Sequence, residues 1–586
     1  MTQITDFNEA KNKHCVRSRL SELPIIHLLF SVCASTIDLL LDICYSFIDV
    51  FSNLSFDLVE INSFNRSLYD QRHGNSKIRG IRKFLTNLSR TFNSLKKNMV
   101  CSRKCQKGTL FLFSVVFLVF GIVLALTWHN IYNNIVKTEL SLENENTQQF
   151  KFWKETPIPM FLEIYLFNWT NAADFKAGEP WTKKPKFQQL GPYTFKEHHS
   201  RVNIKYNDNN TVNFNTVRTW HFVPEKTVGS LDDNITTLNA IALTVGNIVK
   251  HKSLIIRRGV NFLLEEKRVE LTVTKTAKEF LFEGYNDTLL TLLKKIHLKG
   301  IDIPFDKFGW FYNRNGSSTY DGNFTMYTGA DDIQKLGIIT RWNQSPRSPE
   351  YPGYCGMVNG TSGELWYPLK DAEKVSIFTP DTCSTLTLEA NGTYSTFGVE
   401  GKLFAQTERL FDNGTKYQEM DCFSPGVHLP TGVRNVSQCK FGAPAFMSMP
   451  HFYMADPSYL NAVEGLRPDP SNHNFYLALE PNTGLPLKVH ASLQVSLYLE
   501  RIKGISIFEN VNTTMMPVLW FRQEAAITEN LADLAKTLIL LPSIGTYTAY
   551  GVIGLGCLLL LIGSFITVRQ GWRGTEDEEP LTQNHL

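Results

Sequence analysis

Residues 110–128, LFLFSVVFLVFGIVLALTW, run for nineteen positions without a charged side chain. At about 1.5 Å per residue, a helix of that length crosses nearly all of a hydrocarbon core of roughly 30 Å. The stretch starts a hundred residues into the chain and runs into Thr127-Trp128-His129, which suits a cleavage site poorly. It therefore reads as an uncleaved anchor and not as a signal peptide. Residues 538–568 are also free of charge and end before Arg569 and Arg573. Pro542 and Gly545 near their start place the expected second membrane helix at 546–568. Two anchors oblige the domain between them, 129–545, to begin and end at one membrane surface.

Charge and sequons divide the chain into compartments. Between Arg66 and Lys107 twelve basic residues face only Asp70, and the positive-inside bias assigns this arm, 1–107, to the cytosol. Arg569 and Arg573 assign the tail, 569–586, to the same side. The basic run is explained by topology and attraction to anionic lipid. The net charge of +3 on 586 residues argues against nucleic acid as a partner. Further upstream, Asp38, Asp42 and Asp49 share one face of an apolar stretch, and each would cost up to ~3 kcal/mol at mid-bilayer. That stretch reads as an amphipathic or partner-packed helix ahead of a third span. Cys101 and Cys105, beside the first span, are palmitoylation candidates.

Between the spans, N-x-S/T sequons begin at Asn168, Asn209, Asn234, Asn286, Asn315, Asn323, Asn359, Asn391, Asn413, Asn435 and Asn512. Asn343, followed by Ser-Pro, is a weak acceptor. So many in one uninterrupted stretch predict a heavily glycosylated lumenal or extracellular domain. Only Cys355, Cys383, Cys422 and Cys439 fall between the spans, an even set that favours two disulfides with three connectivities open. Without a CxxC pair, zinc is not expected.

The domain opens with an expected helix, 130–142, and strands at 161–168, 202–206 and 211–221, which are β-branched or aromatic runs bounded by turn residues. Apolar residues at helical spacing then predict helices at 238–252, 254–266, 276–282 and 288–297. Strand-and-turn texture returns after Gly309 and lasts to about Arg522. A helical subdomain is thus inserted in a largely β body. No GxSxG, HExxH, P-loop or Rossmann fingerprint occurs, and His198-His199 has no spacing that suggests a site, so an enzyme is not expected, nor any cofactor or metal. Gly545, Ala549, Gly551, Gly554 and Gly556 would permit close contact between membrane helices and allow a homo-oligomer. In the tail, Asp577 and Leu581 resemble an acidic dileucine sorting signal whose second position is Thr582.

Several segments resemble the class B scavenger receptor family, which includes lysosomal integral membrane proteins and insect sensory neuron membrane proteins. They are LGPYTF at 190–195, GWFYNRNGSSTYDGNFTMYTGADDIQKLG at 309–337, YCGMVNGTSGELWYP at 354–368, CKFGAPAFMSMPHFYMADPSYL at 439–460, LEPNTGLPLKVHASLQVSLYLE at 479–500 and PVLWF at 517–521. With the two spans they cover about 108–570; the first hundred residues have no counterpart. The resemblance implies an α+β fold, a large antiparallel β-barrel-like ectodomain with a helical-bundle apex at about 238–298, held by two transmembrane helices. It implies a lipid-carrying cavity or tunnel leading towards the membrane. It also implies that basic apex residues engage anionic ligands; Lys267 and Arg268 fall nearest the family's ligand entrance, with Arg257 and Arg258 close by. The family pattern further suggests the pairs Cys355–Cys422 and Cys383–Cys439, with Ser424 where a third bridge often has one half. The function it implies is a receptor for lipid or lipoprotein particles that transfers fatty acid, sterol or carotenoid, at the plasma membrane. Alternatives are a lysosomal or endosomal protein that sorts a lumenal protein ligand or exports lipid, and a phagocytic receptor.

Overall fold

The computed structural model describes residues 103–143, 145–291 and 305–573. The basic arm with its three-aspartate face, Cys101, the Cys105 side chain, the end of the expected helix 288–297 and the acidic tail lie outside the described residues and side chains.

Two long helices bracket the domain. α1 (Arg103–Leu140) is followed by the short α2 (Gln148–Lys154). The chain then forms β1 (Met160–Trp169), β2 (Phe187–Asn207), β3 (Thr211–Phe222) and β4 (Asn234–Leu238). Next come α3 (Ala240–Val249), α4 (Leu254–Glu266), β5 (Thr272–Thr276), β6 (Asn323–Tyr327) and β7 (Ile339–Trp342). After them lie β8 (Lys374–Thr379), β9 (Ser384–Thr396), β10 (Val399–Ala405), β11 (Val433–Asn435) and β12 (Ala445–Ser448). The short α5 (Pro457–Ala462), β13 (Phe475–Leu479), β14 (Pro486–Leu499), the short α6 (Ser506–Glu509), β15 (Thr514–Ala526) and α7 (Glu529–Arg573) complete the chain.

One antiparallel sheet carries the body, in the order β7, β6, β3, β2, β1, β15, β14, β13, β10, β9, β8, with β12 and then β11 added beside the second half of β14. Its two edge strands do not stay open. Ile339 of β7 donates to the Gly360 carbonyl at 2.7 Å, Thr361 donates to Ser376 of β8 at 2.9 Å, and Phe378 donates back to Thr361 at 2.9 Å. Residues 360–361 thus stitch the edges together and satisfy backbone groups that an open edge leaves free. The position needs glycine: Gly360 has φ +83°, and a Cβ would lie 2.4 Å from the Ser376 carbonyl oxygen. Side chains alternate across the closed sheet, so every second residue faces the interior.

Gly191-Pro192 lies inside β2 and not at a turn. Gly191, at φ +109°, sits where the β1–β2 register shifts between Ile164 and Leu166, and a Cβ would stand 2.7 Å from the Ile164 carbonyl oxygen. The pair marks a bulge that bends the long strand. The helical insertion that the periodicity predicts is broken by one strand. α4 matches 254–266; 272–276, TVTKT, is a strand paired with β4; the expected helix 276–282 appears as helical residues 277–283, which include a π-turn, Glu279–Glu283, and residues 288–291 are again helical. α3 is buried on nearly all sides and is capped by Asn239, whose Oδ1 accepts from Ala242 N at 3.0 Å.

The membrane helices pack on each other as an antiparallel pair. Glycines let the backbones approach: a Cβ on Gly121 would meet Ile553, one on Gly556 would meet Leu118, and one on Gly545 would fall 1.7 Å from the Trp128 ring. Trp128 Nε1 donates to the Pro542 carbonyl at 3.1 Å. α7 starts well ahead of 546: it runs from Glu529 to Arg573 with Pro542 inside it. Gly545, Ala549 and Gly556 are taken up in this contact, whereas Gly551 and Gly554 have nothing within 4 Å. At 38 and 45 residues both helices exceed a bilayer and continue into the domain. α1 is tied to β6 by Leu142 N to Thr328 O, and the base of α7 packs Ile527 and Ala532 against Val399, Ala478 and Leu487.

Candidate functional site: the barrel interior

The interior is asymmetric. β13, β14 and β15 turn Phe475, Leu477, Val489, Ala491, Leu493, Phe521 and Ala525 inward, and these form the apolar wall of a cavity of about 180 Å³. The cavity reaches Ile527, two residues before α7 begins. The opposite wall is charged. On β2 the inward positions are Glu197, His199 and Arg201; Arg218 of β3 stands directly across from His199; Ser362 and Glu364 come from the segment that closes the barrel.

Two ion clusters organise the charged wall. His199 lies between two carboxylates, with Nδ1 2.8 Å from Glu364 Oε1 and Nε2 on Glu197. Neither partner can donate, so both ring nitrogens do and the ring is an imidazolium. Burial opposes that charge, but Glu364 and Glu197 outweigh it and hold the His199 pKa above its ordinary value. Arg201 pairs with Glu364 at 2.7 Å and donates to Thr156 Oγ1 at 2.9 Å, while Thr156 donates to Glu364 at 2.6 Å. Against the cost of burial, Arg201 and His199 pull Glu364 well below the usual carboxylate range. In the second cluster Arg314 holds Asp381 through two bonds, 2.9 and 3.1 Å, and contacts Asp321 at 3.0 Å. Lys440 stands 3.9 Å from Asp381, and Arg218 Nε lies 3.0 Å from Asp321 Oδ2 but out of line for a hydrogen bond. Despite burial, Arg314, Lys440 and Arg218 keep Asp381 ionised.

A larger concavity, about 560 Å³, lies where β2, β3 and β6 meet and is lined by Asn207, Asn209, Asn213, Asn323 and Thr325. Asn209 and Asn323 are sequon residues, and sugars on them would fill it. The barrel interior is the stronger candidate because it joins an apolar wall to a few convergent polar groups.

The other expected site residues are dispersed. Arg257 and Arg258 belong to the first half of α4, whereas Lys267 and Arg268 follow its end, about 15 Å further along the axis. Lys267 pairs with Glu266 at 3.0 Å, and Arg268 is exposed at φ +50°. α4 also presents apolar side chains outward: Ile255 is 84% exposed and Phe262 66%. Cys355 is bonded to Cys422 and Cys383 to Cys439. Asn209, Asn234, Asn286, Asn315, Asn359, Asn391 and Asn512 are exposed, and Asn168, Asn323 and Asn435 are half-buried. Asn413 differs: it is 1% exposed, and its amide donates to the Leu429 carbonyl at 2.6 Å. The folded domain has no room for a glycan there.

The charged wall is absent from the sequence-based expectations. Its signal was present, since Glu197, His199 and Arg201 alternate with His198 and Ser200 as one face of a strand. A polar face of a strand ordinarily reads as a solvent face, and nothing in the spacing says that it lines a lumen.

This architecture defines a two-span membrane protein whose extramembrane domain is a nearly closed, barrel-like antiparallel sheet around an amphipathic chamber. The chain belongs to the CD36 family, whose model matches residues 112–567. It is 38% identical over 438 residues to Protein peste of Drosophila melanogaster, covering 74% of this chain and 78% of that one. It is 33% identical over 476 residues to Scavenger receptor class B member 1 of Cricetulus griseus, covering 79% and 91%. It is 30% identical over 479 residues to Lysosome membrane protein 2 of Homo sapiens, covering 80% and 97%. It is thus a scavenger-receptor-like membrane protein.

Proposed function

We propose that this protein binds lipid or lipoprotein ligands at its apex and passes lipid through the barrel interior towards the membrane. The observation that supports this reading is the cavity itself, apolar along β13 to β15 and reaching Ile527 at the foot of α7. Lipid entering it would need no covalent chemistry, only a route past water and a gradient of binding. The apex suits a ligand that is both apolar and anionic, because Ile255 and Phe262 project outward beside Arg258, with Lys267 and Arg268 at the far end of the helix. Fatty acids, sterols and carotenoids are the candidate cargo. In this reading the domain is lumenal or extracellular and glycosylated, both termini are cytosolic, and Cys101 and Cys105 are available for acylation.

The test is a blocked cavity. Ala491→Trp places an indole in the chamber while leaving the surface and the apex unchanged. Mass spectrometry of lipids co-purifying with the full-length protein should find cargo with the wild type and several-fold less with the variant, and cellular lipid uptake should fall in parallel. Equal lipid content and uptake in both proteins would remove the tunnel reading. A second reading, lysosomal or endosomal sorting or lipid export, is favoured by the match over nearly the whole length of Lysosome membrane protein 2. A steady-state distribution confined to the plasma membrane and indifferent to changes at Asp577 and Leu581 would count against it.

A further inference from the structure

The β9–β10 hairpin turns on two residues, Phe397 and Gly398, between the paired Thr396 and Val399. Both are left-handed, at φ +49° and +73°, the geometry of a turn that Asn-Gly or Asp-Gly ordinarily fills. A bulky aromatic at positive φ is an outlier. Phe397 is 47% exposed, and among the described residues it joins no buried apolar cluster. The stretch around it, residues 390–399, ANGTYSTFGV, carries no Asp, Glu, Lys or Arg, so the tip loses little by leaving water. A strained aromatic that the fold does not use points to a partner outside the protein.

Position says which partner. Val399 packs with Ile527 and Ala532 at the base of α7, and a Cβ on Gly398 would stand 3.6 Å from Cε and 3.9 Å from Nζ of Lys536. The charge-free run of α7 starts two residues later, at Leu538. As helix, residues 538–568 extend about 46 Å, against roughly 40–45 Å for a bilayer with its headgroups, so Leu538 lies near the outer headgroup boundary. Just below it, Leu540 and Ile544 are 55% and 53% exposed, apolar side chains for lipid to cover. We infer that Phe397 dips into the headgroup layer beside α7, with Lys536 next to it, and that the hairpin is a second attachment of the barrel to the bilayer surface. Aromatic rings and lysines are the side chains that settle at that depth. Asn391, a sequon residue on the same strand, stands six positions from the tip, about 20 Å along β9, which keeps a sugar there clear of the headgroups. Because α1 and α7 pack on each other, they fix the domain at one place; a contact to the side of them restrains its tilt. This contact is independent of what the barrel carries.

The test places the photoreactive aromatic p-benzoylphenylalanine at position 397 of the full-length protein, in nanodiscs of a single phosphatidylcholine. Positions 126 and 262 serve as references: Leu126 is 76% exposed on the first membrane helix, and Phe262 projects from α4 at the apex. After irradiation, mass spectrometry of the peptides should find the phosphatidylcholine adduct at 397 several-fold above that at 262 and closer to that at 126. The mass of the adduct separates bilayer lipid from any cargo. Phe397→Asn suits the left-handed turn and should leave the urea midpoint unchanged or higher. An adduct at 397 no greater than at 262, or one formed only with α7 of the same chain, overturns the inference. So does a midpoint lowered by Phe397→Asn, which would assign the ring to the fold and not to the membrane.

Discussion

His451 and His473 form a buried stacked pair whose behaviour on acidification follows from its hydrogen bonds. The rings lie 4.4 Å apart and within 6° of parallel, and each residue is 5% exposed. His451 Nδ1 accepts from the Arg467 N–H at 3.0 Å, so its Nε2 carries the proton and donates to Gln189 Oε1 at 2.6 Å. His473 Nδ1 accepts from the Asp469 N–H at 2.9 Å. Protonating either Nδ1 breaks a bond and places a cation against its neighbour. Burial, then the adjacent ring, pushes His451 down to about 3; burial pushes His473 to about 4, with Asp469 partly offsetting it. Because the folded pKa is depressed, the unfolded chain binds more protons below its own value of about 6.5. The stability these two residues allow is present above that pH and is lost as pH falls towards 4 and 3. At pH 5 each costs about 2 kcal/mol relative to neutral pH, and the pair about 4 kcal/mol. His199 titrates in the opposite sense, its contribution being complete below about 6.5 and lost as pH rises through its elevated folded value. Asn in place of each histidine keeps an acceptor and does not titrate, and Asn tolerates the left-handed φ of +52° at position 451. The double variant His451→Asn/His473→Asn should therefore lose about 4 kcal/mol less than the wild type between pH 7.5 and pH 5, measured by urea unfolding of the full-length protein followed by tryptophan fluorescence. His473→Asn alone should recover about half. Equal acid sensitivity in all three proteins would refute the argument.

Glycopeptide mass spectrometry should find sugar on the exposed sequons, Asn391 and Asn286 among them, and none on Asn413, whose amide is buried against Leu429. Cys422→Ser opens a loop of 67 residues and should cost up to about 4 kcal/mol by chain entropy, read as a fall in the urea midpoint; an unchanged midpoint would mean that the bridge does not restrain the unfolded chain. Gly545→Leu drives a side chain into the Trp128 indole and should separate the two membrane helices. A crosslink between Leu118→Cys and Gly556→Cys, formed within one chain, should then fall several-fold, and an unaltered yield would place the helix contact elsewhere.

What could be read from the sequence is what depends on neighbours along the chain. The charge-free stretches, the alternation at 211–221 and the helical period at 254–266 each signal an element through local spacing, and each element is where that spacing places it. Reading failed where a distant residue decides. Pro542 looks like a helix stop, yet α7 continues through it and packs there on Trp128, more than four hundred positions away. A Gly-Pro pair ordinarily marks a turn, and that Gly191-Pro192 instead bends a strand depends on the β1 carbonyl that crowds Gly191. Thr276, expected to open the 276–282 helix, instead ends β5, whose partner β4 lies beyond two intervening helices. The same limit hides the charged wall, because the side of β2 that faces inward is set by closure between β7 and β8.

That closure also explains why a barrel would keep charges inside. Buried ion pairs are poor stabilisers, and apolar side chains of equal volume often do as well or better. An interior lined wholly by Leu and Phe, however, would pack to the density of an ordinary core and leave no chamber. Here the wall formed by β2, β3 and residues 362–364 is fixed by the pairs Arg201–Glu364 and His199–Glu197 and by the neighbouring Arg314–Asp381, whose bonds run sideways along the wall. Such side chains cannot collapse onto Phe475 and Leu493 across the barrel without giving up partners already desolvated for each other. The ion clusters thus hold the space open, with His199, Arg218, Glu364 and Asp381 lining it.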